Sequence, residues 1–335
     1  MEKKKIIIFG ATGNVGVYTC TLLKEQGYNI MAVGRRKTDN GFFQSYNIPY
    51  YSVDIRNKSE FDKLPADIDS VIHLAGAMPA HMKGYDPYEY IDSIITGTLN
   101  VLEYMRSIGC NEIIFSQSIA DIGYKFGSTE PISDDTEMKF PLNTDHSVYS
   151  IAKNASVDLI EHYNAKYGMA YYILRLPTIY GYYTNPYYYV DGQQKWLGYR
   201  YIIERAIKGE TLEIWGNPKS MKEMVYIKDF VHLVDCCLKT DKMYGIYNVG
   251  CGKPISIEDQ IHLIADTFAY DKKSEIIYCP EKPSSPQFVL SIEKSKTNLG
   301  YKPTWDFKKW IADYKYYLET EPFSKIWGNR FDYIL

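Results

Sequence analysis

The chain has 335 residues, 45% hydrophobic and 24% charged, with a formal net charge of −3. That balance suits a globular protein with one large domain or two, and it gives no reason to expect a nucleic-acid partner. The basic start Lys3-Lys4-Lys5 precedes only a short apolar run, Ile6 to Phe9, and no other segment approaches the ~20 apolar residues of a membrane span. No membrane association is expected, and a cytoplasmic location is. The six cysteines form no CxxC pair and do not partner with His, so reduced thiols and no metal site are expected.

Ile6-Ile7-Ile8-Phe9 is the kind of β-branched run that forms a strand buried on both faces. Gly10-Ala11-Thr12-Gly13-Asn14-Val15-Gly16 follows at once, and Val17 to Gln26 reads as a helix ended by Gly27. Strand, glycine turn and helix is the context of a dinucleotide fingerprint. Glycines let the backbone approach a pyrophosphate, and a helix N-terminus offers free N–H groups and a positive dipole end. Gly10, Thr12, Gly13, Asn14, Val15 and Gly16 are therefore cofactor candidates.

The next strand is Asn29 to Val33. An acid just past this strand suits the NAD ribose, whereas an Arg accommodates the 2′-phosphate of NADP. The chain reads Gly34-Arg35-Arg36-Lys37, with no acid until Asp39. Arg35 and Arg36 favour NADP; NAD is the alternative, and a solvated basic loop is the plain structural reading.

Tyr50 to Val53 reads as a strand ending at Asp54-Ile55-Arg56, and Asp67 to Leu74 as one leading into Ala75-Gly76-Ala77. Tyr88 to Ser107 is a helix closed by Gly109. Glu112 to Phe115 is a strand ending in Ser116-Gln117-Ser118, and Ala170 to Leu176 another. Strands alternating with helices argue for an α/β fold with a Rossmann-type, doubly wound parallel sheet, whose ligands bind beyond the carboxyl ends of the strands. The glycine loop, Asp54, Ala75-Gly76, Ser118 and Thr178 all fall there.

Between these last two strands lies Ser147-Val148-Tyr149-Ser150-Ile151-Ala152-Lys153, opening a helix to about Lys166. Positions i and i+4 share a helix face, so the Tyr149 phenol and the Lys153 ammonium would stand together. A phenol of unperturbed pKa about 10 is a poor acid. A neighbouring positive charge favours the phenolate and would make Tyr149 usable as a general acid or base. The same spacing recurs at Tyr278 and Lys282, where Pro280 and Pro283 oppose a helix, so that copy is read as accidental.

Beyond residue 178 the pattern loosens. Residues 180–200 read as a Tyr/Gly/Pro-rich loop, Tyr201 to Lys208 as a helix, Leu212 to Trp215 as a strand, and Met224 to Lys239 as a strand end followed by a helix. The expected division is a dinucleotide-binding domain over 1–178, with 224–249 returning to it, and a smaller mixed α/β substrate region over 179–223 and 250–335.

Taken together, these stretches resemble the extended short-chain dehydrogenase/reductases, the NAD-dependent epimerase/dehydratase family acting on nucleotide sugars. The landmarks run from Gly10-Ala11-Thr12-Gly13-Asn14-Val15-Gly16 through Asp54-Ile55, His73-Leu74-Ala75-Gly76-Ala77, Phe115-Ser116-Gln117-Ser118 and Tyr149-x-x-x-Lys153. Further on come Arg175-Leu176-Pro177-Thr178-Ile179-Tyr180-Gly181, Val225-Tyr226-Ile227-Lys228-Asp229-Phe230 and Leu299-Gly300-Tyr301-Lys302-Pro303.

The resemblance implies that Ser118 hydrogen-bonds the substrate oxygen and Tyr149 exchanges its proton. Lys153 would bind the nicotinamide ribose and depress the tyrosine pKa, while Asp54 would approach the adenine. Ile55, Leu74, Ala75, Gly76, Ser116 and Pro177 would complete the cofactor site, and Ala77, Thr178 and Lys222 would face the substrate. Relatives commonly dimerise through the Tyr149 helix and the one before it, so a homodimer is implied.

Departures narrow the chemistry. Family dehydratases carry an Asp-Glu pair directly after the catalytic Ser/Thr; here Ile119 and Ala120 stand there, so elimination of water lacks its acid and base. The 3,5-epimerising members use a Cys and a His near the sugar, but Cys110 lies at the entrance end of its strand. What remains is C4 epimerisation or reduction of a 4-keto sugar. Ile94 precedes Gly97-Thr98 where an Asn is common, Thr178 replaces another Asn, and Lys222 replaces an Arg, offering charge but no bidentate fork. Two other readings stay open: a dinucleotide-binding sensor without catalysis, and a reductase of a non-nucleotide sugar or carbonyl compound.

Overall fold

The computed structural model describes residues 3–144, 146–190, 192–240, 244–284, 286 and 288–334. β1 (Lys5–Phe9) is followed by α1 (Asn14–Glu25), β2 (Asn29–Gly34), β3 (Tyr50–Ser52) and β4 (Ser70–His73). Next come α2 (Pro87–Tyr90), α3 (Gly97–Ile108), β5 (Glu112–Ser118), α4 (Ser147–Tyr167) and β6 (Ala170–Leu176). The later elements that matter here are α5 (Gly198–Ile207), α6 (Ile227–Lys239) and β7 (Gly245–Asn248).

The sheet order is β7-β6-β5-β4-β1-β2-β3, with every pairing parallel. This is the Rossmann-type doubly wound α/β sheet, and its order reverses between β1 and β4. Ile6 and Ile8 of β1 pack into one layer with Val17 and Tyr18 of α1 and Phe230 of α6. Ile7 and Phe9 pack into the other, with Val101 and Leu102 of α3 and Val157 and Ile160 of α4. The four side chains from Ile6 to Phe9 are fully buried, which explains why this run carries no polar alternation.

Three local expectations differ. The helix expected from Tyr88 to Ser107 is broken by a π-helical segment, Ile91–Thr96, between α2 and α3. The irregular turn is held from outside: Ser156 Oγ donates to the Ile94 carbonyl at 3.1 Å, and Ser93 Oγ accepts the Ala77 N–H at 2.9 Å. Gly97 allows this approach, because a Cβ there would stand 2.6 Å from the Ile55 Cδ1.

The stretch read as a loop over 180–200 contains a hairpin, Tyr187–Val190 against Gln193–Trp196, clamped by the Tyr187 and Trp196 rings 5.0 Å apart. An unbroken Tyr-Tyr-Tyr-Val run has no alternation to betray a strand. The same stretch begins with Ile179–Tyr180, a two-residue strand paired in parallel with Val225–Tyr226.

Third, the strand ending in Phe115 continues to Ser118, so Ser116, Gln117 and Ser118 are part of the ladder with β6.

Tyr278 lies in the strand Ile276–Cys279, not on a helix, and its hydroxyl donates to Glu258, while Lys282 pairs with Glu213. No described helix is long and apolar enough to cross a membrane.

Candidate active site at the sheet's switch point

The glycine loop closes on the crevice where the strand order reverses. Gly10 has φ +84°, in the left-handed region, and a Cβ on it would stand 2.8 Å from the Ala75 amide nitrogen. A Cβ on Gly16 would fall 2.1 Å from the Gly10 carbonyl oxygen. Bare backbone is therefore required where β1 and β4 end together. Above it α1 begins at Asn14 with no side-chain cap on its N-terminus, leaving amide N–H groups for an anion. Thr12 and Val15 are partly exposed on the same loop, and Leu74, Ala75, Gly76 and Ala77 form the facing rim. This cradle fits a dinucleotide pyrophosphate.

Ser118, the last residue of β5, meets Tyr149 of α4, and Lys153 of α4 reaches the carbonyl of Ser116 two residues earlier. Ser118 Oγ accepts the Ala120 N–H at 3.2 Å, capping the next turn, and Gln117 Oε1 accepts the Ser118 N–H at 2.8 Å. The serine hydrogen stays available to a further acceptor. Burial pushes the Tyr149 phenol up to about 12, and a hydrogen bond with Ser118 works against that rise. The Tyr90 ring stands edge-on to Tyr149, with centroids 5.9 Å apart. Burial pulls the Lys153 ammonium down to about 7. Its Nζ donates to the Ser116 carbonyl at 2.7 Å and lies 4.7 Å from the Phe115 ring centroid.

Tyr149 and Lys153 do share a face of α4, but the tyrosine pKa is raised rather than depressed. The reason is dielectric. Both groups are taken out of water, so each is pushed towards its neutral form.

Past the ends of β2 and β3, the charges are linked in a ladder. Asp54 accepts from Arg56 Nη2 at 2.6 Å, Arg56 Nη1 donates to Glu89 at 2.7 Å, and Glu89 also pairs with Arg35 at 3.0 Å. Arg56 holds the Asp54 carboxyl below its usual range. Arg36 points elsewhere and donates to the Ile326 carbonyl near the end of the chain. Ile55 is buried under Gly97, and Ser116 Oγ donates to the His73 carbonyl at 3.2 Å, stitching β5 to β4.

Pro177 and Thr178 leave the end of β6, with Thr178 exposed. Val225 pairs with Ile179, which carries the Lys222 segment alongside this exit. Lys222 is partly exposed, and burial draws its pKa down, a shift an anionic ligand would reverse. The neighbouring Glu223 is buried and accepts the N–H groups of Cys251, Gly252 and Leu290 at 2.7–2.9 Å, which fixes the backbone at Lys222.

Sequence reasoning missed Asp121, Glu89 and Trp327. Asp121 stands out as the one carboxylate within Ile119-Ala120-Asp121-Ile122, and that contrast was a usable signal. It is buried, pairs with the fully buried Arg175, and its field raises the Tyr149 pKa. Glu89 and Trp327 carry no local mark for these roles, because Arg56, which Glu89 pairs with, lies 33 positions away, and Thr12, which Trp327 bonds, lies 315 away.

Fold and cradle together define a nucleotide-binding α/β protein of the Rossmann type. The model of the NAD dependent epimerase/dehydratase family matches residues 6–250, and the chain belongs to that family. It is 27% identical over 310 residues to a putative UDP-glucose 4-epimerase of Methanocaldococcus jannaschii, covering 91% of this chain and 95% of the relative. It is 27% identical over 312 residues to a UDP-glucuronate 4-epimerase of Thermodesulfobacterium geofontis, covering 89% and 90%. Among solved structures, a UDP-glucose 4-epimerase with UDP-glucose from Thermotoga maritima superposes with a TM-score of 0.76 at 22% identity, covering 95% of this chain and 99% of that one. A UDP-glucuronic acid 4-epimerase from Bacillus cereus in complex with NAD gives 0.73 at 24%, with the same coverage. At that identity the structural likeness speaks for the fold.

Proposed function

We propose that this chain is an NAD-dependent 4-epimerase of UDP-linked sugars. The observation that carries the reading is the convergence of Ser118, Tyr149 and Lys153 beside the Gly10/Ala75 cradle, with Ile119 and Ala120 next to Ser118. Those two apolar neighbours leave Tyr149 as the evident proton handler, which suits hydride transfer at one carbinol and does not suit dehydration. The names of the relatives support the nucleotide and the carbon.

When bound, the dinucleotide supplies hydride acceptance and return at the sugar carbon. The chain does the rest. Tyr149 takes and gives back the proton of the sugar hydroxyl, Ser118 hydrogen-bonds the same oxygen, and Lys153, now on the Ser116 carbonyl, would hold the nicotinamide ribose. The Tyr149 phenolate, which burial disfavours, would be favoured by a positive charge held beside it. Lys222 meets the diphosphate. Residues 1–178 with 224–249 form the cofactor domain, a division supported by the pairing of β7 with β6, and 179–223 with 250–335 form the substrate region. Exposed Leu99, Ile151 and Tyr167 on α3 and α4 support a homodimer through those helices.

A second reading, reduction of a 4-keto sugar by NADPH, rests on Arg35 and Arg36. Their engagement with Glu89 and Ile326 supports NAD instead. The test is to identify the dinucleotide released on denaturing purified protein and to follow UDP-glucose and UDP-glucuronate by NMR. Released NAD and interconversion at C4 without net NADH are expected. Net NADPH consumption with a 4-keto sugar, and no interconversion, would overturn the epimerase reading.

A further inference from the structure

The short helical turn Ser324–Trp327, near the C-terminal end of the described residues, packs on the glycine loop as well as on the segment after β6. Trp327 is 3% exposed, and its indole Nε1–H donates to the Thr12 carbonyl at 3.1 Å, inside the glycine loop. One residue earlier, the Ile326 carbonyl accepts from the Arg36 guanidinium. One residue before that, the Lys325 carbonyl accepts from Asn40 Nδ2 at 3.0 Å. Three consecutive residues thus hold the pyrophosphate loop and the loop after β2 at once.

The turn is itself anchored. The Trp327 carbonyl accepts from Thr184 Oγ1 at 3.2 Å and from the Tyr333 hydroxyl at 2.9 Å. The Trp327 ring packs edge-on to Tyr183 and Phe323, at 4.7 and 4.9 Å between centroids, and Phe323 meets Tyr18 of α1 at 4.8 Å.

We propose that this C-terminal turn is a clasp that selects NAD: through Trp327 it fixes the glycine loop, and through the Ile326 carbonyl it withholds Arg36 from the adenosine ribose. Trp327 is a positioning residue, acting through Thr12. A 2′-phosphate needs a guanidinium donor in reach. Arg36 is committed to the clasp, and Arg35 is neutralised by Glu89 at 3.0 Å, a carboxylate that would also repel a phosphate. NAD needs neither arginine. The inference rests on the reading of the site as a dinucleotide site.

The test is calorimetric binding of NAD and NADP to wild type, to Trp327→Phe, which keeps a ring and removes the N–H, and to Trp327→Phe combined with Arg36→Ala. The single variant should bind NAD about fivefold more weakly, the loss of one hydrogen bond. Its NADP-to-NAD preference should shift towards NADP by about tenfold, as a freed guanidinium gains a charge-assisted bond. The double variant should lose that shift. Equal weakening of both dinucleotides, or no change in either, would overturn the clasp. Should Trp327→Phe fail to fold, Asn40→Ala, which releases the Lys325 carbonyl from the surface, must shift the preference in the same direction. Wild type that binds neither dinucleotide defeats the cofactor reading itself, whereas wild type that binds NAD with variants indistinguishable from it defeats the clasp alone.

Discussion

Arg175 Nε lies 3.0 Å from Asp121 Oδ2, and both side chains are sealed from solvent directly behind the catalytic candidates. Arg175 also donates to the Asp134 carbonyl and to Asn248 Oδ1, each at 3.1 Å, so one cation ties β6, β7 and the segment after β5 together. Burial still raises the Asp121 pKa despite the arginine. Removing one member of a buried pair leaves an uncompensated charge, which costs about 3–5 kcal/mol. Asp121→Ala should lower unfolding free energy by that amount in denaturant titrations. Asp121→Asn should lose less, because it keeps an acceptor for Arg175.

Tyr149→Phe removes the proposed proton handler and leaves the ring packed against Tyr90. Turnover should fall about 10²–10⁴-fold, with NAD affinity within a factor of about two. Steady-state kinetics with calorimetry checks both, and turnover at the wild-type rate would sink the assignment.

Lys153 sets a pH dependence of stability. Burial lowers its folded pKa to about 7 from the ordinary 10.5, so the buried amine favours the neutral form. Between these values the unfolded chain holds a proton the folded one has shed, so stability contributed by this site rises with pH, by at most about 1.4 kcal/mol per unit. Below about pH 7 that contribution is lost. Tyr149 acts oppositely and higher: its phenol is raised from 10 to about 12, so stability falls over that range. Lys153→Met should abolish the rise between about pH 7 and 10.5 in chemical denaturation measured at fixed pH, and leave the alkaline fall in place.

Lys222→Gln should weaken UDP binding by about 10–100-fold, the loss of one charge-assisted bond, without changing NAD affinity. Calorimetry with UDP alone isolates this effect from the sugar. An unchanged UDP affinity would remove Lys222 from the substrate site.

Gly10→Ala combines a φ of +84° with a Cβ placed 2.8 Å from the Ala75 nitrogen, backbone that cannot step aside. The variant should lose NAD binding by more than about tenfold and about 1–3 kcal/mol of stability, read by calorimetry and thermal melts. Gly41→Ala has a positive φ of 72° but open space around it, and should show only the strain.

Much of this protein is written locally. The Ile6–Phe9 run, the glycine turn and the helix after it are one short segment, and each part states its own burial, torsion or capping need. Tyr149 and Lys153 are four apart on one helix, so their shared face follows from the helix period. The strand–helix alternation determined the sheet for the same reason, since parallel neighbours require crossover helices. What only the tertiary structure decided is what those groups face. Whether Lys153 lowers the Tyr149 pKa depends on dielectric, and burial reversed the expectation. Whether Arg35 and Arg36 are free depends on Glu89 and on Ile326, which is 290 positions from Arg36. A pattern of neighbours along a chain carries no information about a partner that far away. Torsional preference and hydrophobic period are local, whereas the charge and hydrogen-bond state of a side chain is set by whatever the fold brings beside it.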